Sequence, residues 1–323
     1  MMALVLCVTP ACDLLGPGTP GLVRRLTSMS GWIDDVAWSP DSHYLVAGSV
    51  NPPVRIWDAG QGQVTRTIPA SSGTVSRVSW SPDGTYIALG AIAPQNTFQV
   101  WNLTTSRTVL TDSIGDVADV VWSPDGQRLA VASGGEVWND GIRNAWIDVY
   151  DTKHWQIQAH LPYTDAIFAL AWSPDNKQIA VGSAPATLTL GTIATWDVTT
   201  GQHIRTYSGH GKVVNRPAWS PDGRFLASAS DDHTAKVWDV STGQNIATFR
   251  HSDRVTAVAW SPNSERLASG GDDQTVKVWE VASGSNLQTF THPNLVNSIA
   301  WSPDGKLLAV GCQDGAIWLW NAK

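Results

Sequence analysis

The stretch WSPDGRFLASASDDHTAKVWD, residues 219–239, carries the pattern that decides the fold. Pro-Asp-Gly between apolar runs is a tight turn, because Pro221 presets φ and Gly223 accepts a positive φ. Residues 224–230 then read as a strand of apolar and small side chains. Asp231-Asp232-His233 turns the chain, and residues 234–238 alternate in polarity and favour β structure. Upstream, residues 212–219 lead into the first turn. Downstream, Ser241-Thr242-Gly243 gives way to residues 244–249. Four short antiparallel strands joined by tight turns result, without helical periodicity.

The Trp-Ser-Pro that opens this stretch occurs seven times, at Trp38, Trp80, Trp122, Trp172, Trp219, Trp260 and Trp301. The intervals are 42, 42, 50, 47, 41 and 41 residues, a period that marks a repeat architecture. A second landmark keeps step: Trp57-Asp58, Trp101-Asn102, Tyr150-Asp151, Trp196-Asp197, Trp238-Asp239, Trp279-Glu280 and Trp320-Asn321. It follows the first by 19 residues in four repeats and by 21, 28 and 24 in the second, third and fourth, so those three carry insertions. No repeat of this size buries both faces of its own sheet. The 323 residues therefore divide into a terminal segment, 1–20, and one domain, 21–323.

Composition is that of a globular chain, with 42% hydrophobic and 15% charged residues. The net charge of −7 argues against nucleic acid or an anionic membrane surface as partner. Of the 25 aspartates, six sit in Ser-Pro-Asp turns and four follow the second landmark aromatic, so most of the acidity is framework. Cys7, Cys12 and Cys312 supply neither a disulfide framework nor a metal site. Residues 3–8 are apolar but too short and uncharged for a secretory signal. A cytoplasmic protein is expected, with export and lipid anchoring at Cys12 as the alternative.

On these residues the chain resembles the WD-repeat β-propellers, whose unit is a glycine-histidine pair, a strand, a Ser-Pro-Asp-Gly turn and a closing Trp-Asp. The resemblance covers residues 21–323 and implies an all-β fold of seven four-stranded antiparallel blades. In that family a histidine, a serine, an aspartate and the closing tryptophan form a buried chain. By position these are His210, Ser228, Asp232 and Trp238, then His251, Ser269, Asp273 and Trp279. The third set is His292, Asp314 and Trp320, with Val310 in place of the serine. Met29, Ser71, Ser113 and Tyr163 stand at the histidine position in the first four repeats, and Asn51 and Gln95 at the aspartate position, so a less rigid first half is expected. The chain ends three residues after Trp320, and residues 21–28 align with an outermost strand. The N-terminal strand should close the last blade.

The repeat breaks most in blade 3, through an insertion within residues 133–146, and in blade 4, through residues 184–192. The family places such loops on one face that commonly binds partners. Glu136, Trp138, Asn139, Asp140, Arg143 and Trp146 are candidate contacts there, since Trp and Arg dominate hot spots. Arg77, Arg216 and Arg254, at the channel-facing starts of their blades, are added to them. The opposing reading makes Trp138 and Trp146 strand or core residues. Asn102-Leu103-Thr104 matches a glycosylation acceptor.

There is no phosphate-binding glycine loop, nucleophile elbow or zinc-ligand spacing. No cofactor, metal or catalytic residue is assigned. The expected function is a monomeric, non-catalytic scaffold binding a protein or peptide on the insertion-bearing face. The alternative is a propeller enzyme, or a small-ligand or carbohydrate binder, working at the channel mouth through paired carboxylates.

Overall fold

A computed structural model describes residues 19–27, 31–50, 53–69, 73–92, 96–138 and 141–322; the side chains of Glu136, Val137, Trp138 and Arg143 are outside that description. The described strands form seven four-stranded antiparallel sheets. Blade 1 runs from β2 (Ile33–Trp38) to β5 (Gln63–Ile68), and blade 2 from β6 (Thr74–Trp80) to β9 (Arg107–Ser113). Blade 3 runs from β10 (Val117–Trp122) to β13 (Gln156–Tyr163), and blade 4 from β14 (Ala166–Trp172) to β17 (His203–Ser208). Blade 5 spans β18 (Val214–Trp219) to β21 (Asn245–Arg250), and blade 6 spans β22 (Val255–Trp260) to β25 (Asn286–Thr291). Blade 7 takes β26 (Val296–Trp301), β27 (Leu307–Cys312) and β28 (Ala316–Asn321), and its outer strand is β1 (Leu22–Thr27). The molecule is a seven-bladed propeller closed by its N-terminal strand, as the repeat spacing predicts. No described helix is long and apolar enough to cross a membrane.

Each Trp-Ser-Pro performs two tasks. The serine hydroxyl donates to the aspartate two residues on, at 2.6 Å for Ser220–Asp222, and accepts the amide of Phe225 at 2.9 Å. This ties the turn shut from inside. The pattern recurs in every blade, with Asn263 replacing the aspartate in blade 6. Where the turn glycine is missing, Ser42, Asn176 and Ser264 hold φ near +63°, a left-handed conformation that costs a side-chain-bearing residue energy. Each offsets that cost by accepting the aspartate amide of the preceding blade's turn, at 3.0–3.1 Å.

The tryptophan joins blades. Trp38 Nε1 donates to Ala300 O, Trp122 to Ser79 O, Trp172 to Val121 O, Trp260 to Ala218 O and Trp301 to Ala259 O, all within 3.0–3.2 Å. Each acceptor is the residue just before the preceding blade's Trp-Ser-Pro. The indoles of Trp80 and Trp219 have no acceptor among the described residues. Inner strands pack side by side round the ring, β2 against both β6 and β26. Gly311 permits this at the seam, because a Cβ there would lie 2.7 Å from Ile33 Cγ2.

The closure has its own clasp. Leu26 pairs with Ile317 and is 2% exposed. Arg25 places its guanidinium 4.9 Å from the Trp318 ring centroid and 3.2 Å from Asp314. Arg24 donates to Gly60 O in blade 1. Leu26→Ala should cost about 2–5 kcal/mol through the cavity it leaves, read as a lower urea midpoint at unchanged slope. A loss near zero would mean that β1 does not complete blade 7 in solution.

Candidate functional site

Every inner strand carries a register shift at one place: between Ile33 and Asp35, Val75 and Arg77, Val117 and Asp119, Ile167 and Ala169, Val214 and Arg216, Val255 and Ala257, and Val296 and Ser298. A bulge re-aims the side chains around it. Here it delivers two positions, three and four residues before each Trp-Ser-Pro tryptophan, to the channel.

The first position reads Asp35, Arg77, Asp119, Ala169, Arg216, Ala257 and Ser298 around the ring. Arg216 reaches from blade 5 to Asp35 in blade 1, at 2.9 Å. Ser298 donates to the same oxygen at 2.8 Å, and Val78 N to the other at 3.2 Å. Arg77 crosses from blade 2 to Phe168 O in blade 4, with its Nε 3.7 Å from Asp119. Asp119 accepts the amides of Val120 and Leu170. Burial opposes charge on Arg216, but Asp35 and Asp119 outweigh it and raise its pKa. Two arginines and two aspartates thus meet across the channel as a bar, each engaged by other blades, while Arg77 Nε has no hydrogen bond among the described residues. Arg77 and Arg216, expected as partner contacts, are committed first to this bar.

The second position opens above the bar. Asp34, Ser76, Phe168, Asn215, Thr256 and Asn297 line a mouth of about 310 Å³ together with Arg77 and Arg216 of the bar and with Trp32, Ile92 and Gln313. Asn215, Thr256 and Asn297 are already donating to Val255 O, Val296 O and Ile33 O of the next blade. Asp34 is different: among the described residues its carboxylate has neither a hydrogen bond nor an ion pair. Burial, aided by Asp35 and opposed by Arg77, pushes its pKa up to about 6. Trp32 is 53% exposed, unusual for an indole. In sequence Asp34 is only one of many channel charges, and Trp32 and Phe168 do not stand out. A column read four residues before each tryptophan would have found Phe168.

The blade 3 insertion is not a loop. It prolongs β11 (Arg128–Trp138) and β12 (Gly141–Asp151) into a hairpin paired as far as Trp138 with Gly141. Asn139 and Asp140 lie outside the described residues, so their candidacy is a matter for proposal only. Trp146 is half-buried at the hairpin's base. Its Nε1 donates to Asp148 at 3.1 Å, and Asp148 meets His160 at 2.6 Å. In blade 4, residues 185–191 arch towards blade 5, with Thr189 bridged to Lys212. Leu188 and Leu190 both adopt φ near +55° and are 45% and 69% exposed. Arg254 is exposed and paired with Asp272 through its Nε at 2.6 Å. Asn102, 9% exposed, accepts the Thr105 amide, so it is no surface glycosylation site.

The polar chains differ by blade. His210 Nδ1 lies 2.8 Å from Asp232 and its Nε2 2.7 Å from Ser228, whose hydroxyl accepts Trp238 Nε1 at 2.9 Å. His251, Asp273, Ser269 and Trp279 repeat this at 2.8–2.9 Å. Burial opposes ionisation of Asp232 and Asp273, yet their hydrogen bonds, the histidines' foremost, hold both carboxyls well below the usual range. Blade 7 departs from the expected set. Val310 offers no hydroxyl, so Trp320 donates directly to His292 Nε2 at 3.0 Å. Asp314 turns to Arg25 instead, and burial pushes His292 down to about 4. Blades 3 and 4 use phenols: Tyr150 donates to Asp112, and Tyr163 lies 3.3 Å from Ser183. Met29, Ser71, Asn51 and Gln95 lie outside the described residues.

Comparison with known proteins adds the family. The family model for the first β-propeller of IFT122 matches residues 167–323, and that for eukaryotic translation initiation factor eIF2A matches residues 23–134. The chain belongs to the WD-repeat β-propellers. Among curated WD-repeat relatives, a WD repeat-containing protein SL1-17 of Schistosoma mansoni is 37% identical over 22% of this chain and 22% of its own. The nuclear distribution protein PAC1 of Arthroderma otae is 52% identical over 13% of this chain and 9% of its own. Protein HIR1 of Candida albicans is 29% identical over 28% of this chain and 10% of its own. The chain therefore spans at most about a fifth of the length of these three relatives.

Asp35→Ala should cost about 3–5 kcal/mol, because it strands Arg216 as a buried unpaired charge. Adding Arg216→Met should recover a large part of the loss in a double-mutant cycle by denaturant titration. Additive effects would contradict the pairing.

Proposed function

We propose that this WD-repeat protein is a non-catalytic scaffold that binds a protein or peptide on the face bearing the blade 3 and blade 4 insertions. On this reading the partner seats a basic side chain in the channel mouth. The observation that carries the proposal is Asp34, a carboxylate with neither a hydrogen bond nor an ion pair among the described residues, which lines the mouth with Trp32 and Phe168 above the Arg–Asp bar. A lysine or arginine supplies the direct ion pair and hydrogen bonds that the more distant Arg77 does not, and aromatic faces favour a cation beside them. Leu188 and Leu190, exposed and held in a conformation that costs energy, lie on the same face and support a wider contact. The blade 3 hairpin, with Glu136, Trp138 and Arg143, extends from that face as a wall for the partner. One relative's name points the same way: the U5 small nuclear ribonucleoprotein 40 kDa protein of Pongo abelii is named for the larger particle to which it belongs.

The non-catalytic reading rests on how the carboxylates are spent. Asp35 and Asp119 already accept backbone amides and arginine or serine donors. Asp34 is therefore left without a second free carboxylate from this ring as a base. Among the described residues no His, Cys, Asp or Glu group is arranged to hold a metal.

The test is a peptide array with a central lysine or arginine, followed by fluorescence polarisation of the best binders. Asp34→Asn should weaken binding at least about tenfold, as loss of a charge-assisted hydrogen bond implies. The folded-state pKa is raised, so ionised Asp34 opposes folding and stability falls as pH rises towards and through about 6. The asparagine variant should accordingly melt no lower than the parent at pH 7.5. Binding runs the opposite way, since it needs the ionised form and should fade as pH drops through about 6. Equal binding by Asp34→Asn, or no preference for basic peptides, would overturn the proposal.

A further inference from the structure

On the opposite face, where the Ser-Pro-Asp turns lie, the wedges between adjacent blades act as controls for one another. Between blades 2 and 3, Tyr86 stacks on Trp122 with ring centroids 5.9 Å apart. Trp155 closes over both, edge-on, at 5.6 Å from Tyr86 and 6.0 Å from Trp122. Between blades 5 and 6, Phe225 stacks on Trp260 at 6.1 Å. Between blades 3 and 4, Arg128 covers Trp172 at 4.9 Å.

The wedge between blades 1 and 2 has the same two-ring framework, but its rings are not stacked and no third ring closes over them. Tyr44 and Trp80 occupy the positions of Tyr86 and Trp122, six residues after their own Trp-Ser-Pro tryptophan and at the head of the next one. Tyr44 turns towards His43 instead, 37% exposed, and Trp80 Nε1 has no acceptor among the described residues. The turn that delivers Trp155 runs between the pairs Asp151–Gln156 in blade 3 and Asn102–Arg107 in blade 2. The residue equivalent to Trp155 is therefore Ser106. Its φ of +54° is close to the +59° of Trp155, and Gly62, Gly201, Gly243 and Gly284 hold the same left-handed position in their own blades, so among these described turns Trp155 alone brings a ring to its wedge. A cavity of about 560 Å³ stands there, walled by Tyr44, Ile56, Trp80 and Leu103 and rimmed by Asp41 and Asp83. That volume is in the range of sites that take a ligand group.

We propose that this wedge is a second binding site, which receives an aromatic side chain of a protein partner in the place that Trp155 fills one blade further on. The rim states what should flank that ring. Ser39 and Ser81 donate to Asp41 and Asp83, and these bonds, against the pull of burial, hold both carboxyls below their ordinary range. Both rim groups are thus anionic at neutral pH, and Arg66, which also lines the cavity, donates to Leu103 O. The occupant is an indole or phenol beside a lysine or arginine. The site lies on the other face from the channel mouth and does not depend on Asp34.

Fluorine NMR of a fluorinated N-acetyl-Lys-Trp-amide, titrated with the full chain, tests this. The probe should broaden saturably and bind at least about threefold more tightly than its Glu-Trp counterpart. Ser106→Trp should fill the wedge from within, lower probe affinity at least about tenfold and raise Tm. Tyr44→Ala, at a partly exposed position, should weaken the probe without lowering Tm by more than a few degrees, and Asp34→Asn should leave the probe unaffected. No saturable broadening, or unchanged binding by both Ser106→Trp and Tyr44→Ala, would overturn the site.

Discussion

The Trp-Ser-Pro indole packed at each blade junction, and hydrogen-bonded to the carbonyl of the preceding blade at five of the seven, is the contact on which the architecture depends. A four-stranded sheet of this length cannot bury its own faces. It is stable only when each face meets a neighbour, and the indole fixes how neighbours meet. The bond costs little to form because Trp38, Trp122, Trp172, Trp260 and Trp301 also bury their rings at the same junctions. The bond from Trp38 to Ala300 spans the two ends of the chain with the geometry of any internal junction. Closure is thus one more copy of a contact made elsewhere, and it leaves no unmatched blade face.

From this constraint follows the division between framework and function. Positions repeated in every blade are consumed by turns, junctions and the channel bar. Asp35 and Arg216 look like surface charges in sequence, yet they satisfy one another across the channel, and Ser298 and the Val78 amide complete the set. What remains free is what the framework does not consume: Asp34 with neither hydrogen bond nor ion pair among the described residues, Trp32 in solvent, two leucines in a left-handed conformation, and an open wedge between blades 1 and 2.

Much of this was legible in the sequence. The seven Trp-Ser-Pro copies set the blade count, and the truncated last repeat set the closure by Leu22–Thr27. His210, Ser228, Asp232 and Trp238 could be brought together by position alone, because their spacing is tied to the turn. The set at His292 shows the limit of that logic. Position placed Asp314 with it, but Val310 removes the bridging hydroxyl and Arg25 arrives from nearly three hundred residues away to claim the carboxylate. The blade 3 insertion reads as a loop in sequence because residues 133–146 mix Gly, Asn and Asp with Trp. Register wins there, since a hairpin already in progress extends more cheaply than it stops. The bulges, and hence the channel mouth, leave no composition signal of their own.

Native-state hydrogen exchange, resolved by peptide, tests the central claim of a ring closed by an ordinary junction. The amides of β28 and β1 should exchange only through the same global opening that frees β22 and β23 (Arg266–Gly271) in blade 6. Protection at β1 and β28 lower by orders of magnitude, with blade 6 intact, would show that the seam is not equivalent to the internal junctions.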